Sequence, residues 1–71
     1  MRSKNAFPTL RAEMARHEIA IVDIAQLLGI RRETVYEKLA GKQPIRLEEA
    51  FRISALFPAV PVLELFQMEE R

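Results

Sequence analysis

Apolar residues recur at helical spacing along most of the chain. Phe7, Leu10 and Met14, with His17 one turn further on, predict a first helix whose other side carries Arg11, Glu13 and Arg16. Asn5 is placed to cap it and Pro8 fits its first turn; the helix is expected to end near His17. The next run, from Ile19 to Ala25, is β-branched enough to suit a strand. However, Ile24, Ala25 and Leu28 form a helical stripe and Gly29 follows as a stop, so a short helix is predicted over about 21–28. A third helix is predicted from Arg32 to Ala40, with Val35 and Leu39 inward and Ile30 in the turn beneath them. Gly41 stops it, and Gly41-Lys42-Gln43-Pro44 reads as a loop. A fourth helix over about 47–57 is expected to turn Leu47, Ala50, Phe51, Ser54, Ala55 and Leu56 inward, with Pro58 ending it. Pro61 can open a last short helix in which Leu63 and Phe66 face the core. The pattern therefore predicts an all-α bundle of about five short helices, in a single domain covering 1–71.

Composition narrows what such a domain can be. The 71 residues include no Cys, so no disulfide or thiolate metal site can hold the fold together. A domain of this size buries only about 60% of its unfolded surface, so the core must come from helix packing, aided by a second copy of the chain if one binds. The 49% apolar content argues for a folded globule. No apolar run approaches the roughly 18 residues of a membrane span and no signal-peptide apolar region follows the charged N-terminus, so a cytosolic location is expected. The net charge of +1 is small, but its distribution is uneven. Residues 29–46 carry Arg31, Arg32, Lys38, Lys42 and Arg46 against Glu33 and Glu37, whereas residues 47–71 carry five Glu against Arg52 and Arg71. A basic middle and an acidic end suit one face meeting phosphate.

Residues 21–42 hold a set of constraints that belong together. Two short helices crossing closely need a small residue on the first, a glycine four residues later for the turn, an apolar plug next, and an apolar anchor on the second helix. Ala25, Gly29, Ile30 and Val35 occupy those places. The stretch from Ile24 to Ile30, followed by Thr34-Val35-Tyr36-Glu37-Lys38-Leu39-Ala40-Gly41-Lys42, resembles the Cro and lambda-repressor (XRE) family of helix-turn-helix regulators, most of all its small prophage members. The resemblance extends over about 7–67, taking in Leu10 to Arg16, Leu47 to Ile53, and Leu63 to Phe66. It implies a five-helix DNA-binding domain, with the helix-turn-helix at about 21–40, that acts as a homodimer on an operator-like site in double-stranded DNA. It also implies that helix three enters the major groove. Arg32 and Glu33 would then meet base edges, Tyr36 and Glu37 would lie one turn on, and Lys42 and Gln43 would meet phosphate. Arg is suited to guanine and Glu to the cytosine amino group. Arg31 and Lys38 are further candidates for phosphate contact.

Two departures from that family carry physical consequences. Arg31 stands where a Ser or Thr usually caps helix three, which forfeits about 1 kcal/mol of capping and adds a cation. Helix two opens on Ala20, Ile21 and Val22 in place of a polar cap and Gln, and with Ile19 these form an apolar edge. That edge keeps two alternatives to a repressor or Cro-like regulator open: an antitoxin-like autoregulator, and a protein-interaction module that uses residues 19–22. Enzyme chemistry is not expected. His17 is the only histidine and reads as a solvated helix-end residue, and the adjacent pairs Glu48-Glu49 and Glu69-Glu70 do not share a helix face. No phosphate loop, metal set, cofactor or small-molecule substrate is indicated. Phe7, Phe51, Phe57 and Phe66 are expected in the core or a dimer interface.

Overall fold

Five helices in chain order make up the computed structural model, which describes residues 6–68. They are α1 (Pro8–Arg16), α2 (Ile21–Leu28), α3 (Arg32–Leu39), α4 (Leu47–Ser54) and α5 (Val62–Leu65). The domain is all-α, and none of these helices is long and apolar enough to cross a membrane. The Cα radius of gyration of 11.2 Å is near the roughly 11 Å of a compact domain of about 70 residues.

Every helix contributes to one core. Leu10 and Met14 of α1, Ile24 and Ala25 of α2, Val35 and Leu39 of α3, Ile53 of α4 and Leu65 of α5 are buried together, with Phe7 and Phe57 from the connections. Ile30, the expected plug of the α2–α3 turn, packs against this cluster. The segment before α1 meets the end of α5 where the Phe7 ring meets the Phe66 ring edge-on, with centroids 5.7 Å apart. The Ala6 N–H also donates to the Leu39 carbonyl at 3.1 Å.

Helix ends follow from local chemistry. Phe7 occupies the cap position of α1, with Pro8 in the first turn; Asn5, expected as the cap, lies outside the described residues. At the other end of α1, the Glu18 N–H donates to the Ala15 carbonyl and the Ile19 N–H to the Met14 carbonyl. This is a Schellman closure, and it places Glu18 in the left-handed region at φ 57°. That strain has no glycine signal in the sequence. α3 ends the same way, with Gly41 at φ 85° and the Lys42 N–H donating to the Glu37 carbonyl. Gly29, at φ 71°, turns the chain out of α2 as its position predicts.

The structure corrects the reading of α4 and α5. α4 ends at Ser54 and not near 57, because its last turn tightens: Leu56 donates to Ile53 and Phe57 to Ser54, three residues back. Its buried face is Ile53, followed by Phe57, whereas Leu47 is 72% and Phe51 55% exposed. α4 has two apolar stripes, and the one that continues into Phe57 is buried. Glu49, one turn before Ile53 on that side, reaches Lys38 of α3 at 3.1 Å. In α5, Leu65 is fully buried and Leu63 is 85% exposed, the reverse of the expected inward Leu63. A single turn of helix is too short for periodicity to fix its rotation.

Candidate nucleic-acid interface

α2 and α3 are joined by the turn Gly29-Ile30-Arg31, and the Gly29 and Ile30 N–H groups both donate to the Ala25 carbonyl, at 2.8 and 3.1 Å. Ala25 is buried, as the close approach of the two helices requires, and Val35 anchors α3 from the other side at 1% exposure. The expected scaffold positions Ala25, Gly29, Ile30 and Val35 thus occur together at one helix crossing, an arrangement compatible with a helix-turn-helix.

Anchoring α3 through Val35 and Leu39 turns its remaining faces outward. Arg32 and Glu33 are exposed in its first turn, and Tyr36 is 42% exposed one turn on. Together with Glu37, with Ala20 at the cap of α2, and with Ile21 and Val22 of α2, these side chains line a surface groove of about 570 Å³. Four expected base-reading residues are therefore brought together, and the apolar start of α2 is the opposite wall of the same groove. Residue spacing did not place Ala20 and Val22 there.

The remaining candidates divide. Arg31 and Lys42 are exposed and join no ion pair among the described residues. Gln43 is half-buried, and its side-chain amide donates to the Glu37 carboxylate, so these two hold each other and steady the loop after α3. Lys38, a further phosphate candidate, is otherwise engaged. Its ammonium donates to the Pro44 carbonyl at 2.9 Å and pairs with Glu49 at 3.1 Å, with side chains only 12% and 14% exposed. It ties the loop and α4 to α3. His17 is exposed and lies beside Glu13 at 3.4 Å, as a solvated helix-end residue would.

Glu49 has a pH consequence. Burial pushes its carboxyl up, but the Arg46 N–H, the Lys38 hydrogen bond, and the charges of Lys38 and Arg46 outweigh this and hold it below its ordinary 4.5. A lowered folded-state value stabilises the domain above the unfolded value, and that stability is lost as pH falls through the folded one. The wild-type melting temperature is therefore expected to fall more steeply than that of Glu49→Gln between about pH 5 and about pH 3. Equal slopes in parallel thermal melts would show that Glu49 contributes none of the acid sensitivity.

The caps of the two crossing helices differ from what polar caps would give. Ala20 has no side-chain acceptor, so at α2 only the reverse contact exists: the Ala20 N–H donates to Asp23 at 2.8 Å. At α3, Arg31 sits in extended conformation with no side-chain cap bond. Arg31→Ser is expected to stabilise the fold by about 1 kcal/mol, raising the melting temperature by about 4–8 °C. An unchanged or lowered melt would mean that the Arg31 side chain already stabilises that turn. Comparison of the chain with protein-family models, with curated proteins and with solved structures returns no match.

Proposed function

We propose that this domain is a sequence-specific regulator of transcription that binds double-stranded DNA as a homodimer, in the manner of the phage repressor and Cro-like proteins it resembles, and acts at the nucleoid. The observation that carries this reading is the groove beside α3, where a guanidinium, a carboxylate and a phenol are exposed on one helix held rigidly by Val35 and Leu39. These are the groups that read base edges, and a rigid helix presents them with little loss of entropy. Arg31 and Lys42, exposed at the two ends of α3, suit the phosphates on either side.

The dimer rests on what the monomer leaves uncovered. Of the apolar residues near the C-terminal end, Phe57 and Leu65 are buried and Val60 and Phe66 pack against the core, so most are used internally. Leu47 and Phe51, one turn apart on α4, and Leu63 on α5 remain exposed. They support a symmetric interface through α4 and α5, and two copies of α3 on successive half-sites would lie about 34 Å apart, one turn of DNA. The apolar edge of residues 19–22 gives less support to a protein-interaction module, because Ile19 and Ile21 pack against the core. Selection of bound sequences from a random duplex pool tests the reading. A pseudopalindromic consensus supports it, and recovery of no preferred sequence counts against it.

A further inference from the structure

The apolar opening of α2 is out of place on a surface meant only for phosphate. Of its four residues, Ile19 and Ile21 are partly buried against the core, so the edge narrows to Ala20 and Val22, with Val22 41% exposed. Two small side chains cannot supply the roughly 800 Å² per partner of a stable protein interface. They do not stand alone, however. They line one groove with Arg32, Glu33, Tyr36 and Glu37, and Arg32, with the exposed Arg31 next to it in the chain, supplies cations suited to a polyanion beside those two carboxylates.

We propose that Ala20 and Val22 form a methyl-reading wall that takes the C5-methyl group of a thymine in the DNA major groove, while α3 reads polar groups on the base edges beside it. The inference rests on the DNA-binding reading of the same site. Thymine presents an acceptor, O4, beside an apolar methyl group, and only apolar contact favours the methyl. A groove lined by the donors Arg32 and Tyr36, the carboxylates Glu33 and Glu37, and the methyl groups of Ala20 and Val22 holds donors for O4 beside apolar contact for the methyl. Cytosine lacks the methyl, so the wall discriminates between pyrimidines where a polar start to α2 would not. Val22 is then a specificity-determining residue that lies outside α3.

The test uses the duplex recovered from the random pool. Each thymine is replaced in turn by deoxyuracil, which removes the C5-methyl alone, and affinity is measured for the wild-type chain and for Val22→Ser. Burial of one methyl group is worth about a fourfold change in affinity. The expected result is a thymine in each half-site whose replacement weakens wild-type binding about fourfold, and an effect that largely disappears in Val22→Ser. A flat deoxyuracil scan, an effect unchanged in Val22→Ser, or a consensus without thymine in the half-site overturns the inference and leaves the DNA reading standing. Failure to bind any duplex overturns both.

Discussion

Replacing Leu65 with Ala is expected to destabilise the domain by about 2–5 kcal/mol, whereas Leu63→Ala, two residues away, is expected to change stability by less than about 0.5 kcal/mol. Leu65 is fully buried at the centre of a core to which all five helices contribute, and its truncation leaves a cavity that the short α5 is poorly placed to fill. Leu63 points away from that core at 85% exposure. A domain of this size has about 4–10 kcal/mol of stability in total, so the first substitution removes a large fraction of it. Urea unfolding at protein concentrations below self-association measures the difference directly. Equal losses for the two variants would mean that α5 is rotated from the orientation described.

Arg32→Ala is expected to weaken binding to the preferred duplex by about 1–3 kcal/mol, or roughly 5- to 150-fold, and to relax the preference at one base pair. Arg32 opens α3, is exposed, and lines the groove with Glu33 and Tyr36. Its side chain is not needed for the fold, because it is exposed and joins no ion pair among the described residues, while Val35 and Leu39 anchor the helix. The variant should therefore melt near the wild-type temperature. A guanidinium that reads a base loses affinity selectively, on the preferred site. One that touches only phosphate loses it equally on preferred and random duplexes, which would remove Arg32 from base reading.

How far the sequence discloses this architecture depends on which physical signal each element carries. α1 and α3 have a single apolar stripe each and α2 a buried stripe with Val22 and Leu27 left exposed beside it, and Phe7, Leu10, Met14, Ile24, Val35 and Leu39 are buried where periodicity puts them. Gly29 and Gly41 mark turns because left-handed backbone favours glycine. α4 defeats the same reasoning because it carries two apolar stripes, and which one is buried depends on packing against residues remote in sequence. The left-handed Glu18 gives no compositional warning. In the candidate interface, the grouping of Arg32, Glu33, Tyr36 and Glu37 follows from helical spacing alone. That Gln43 would bond to Glu37, that Lys38 would be held by Pro44 and Glu49, and that Val22 would share the groove depend on how loops and neighbouring helices pack.

The account stands or falls on whether this surface meets DNA through its cations. Each phosphate neutralised releases condensed counterion, giving a slope of about −0.9 in log affinity against log salt. Two or three phosphate contacts per protomer, doubled in a homodimer, give about −4 to −5 for the wild-type chain. Lys42→Ala should reduce the magnitude by about 2, on preferred and random duplexes alike, because the contact is lost in both protomers. The most direct measurement is the affinity of the wild-type chain for the selected duplex over a range of salt concentrations. A slope near the expected value supports a DNA-binding dimer; no binding at low salt, or an affinity indifferent to salt, contradicts it.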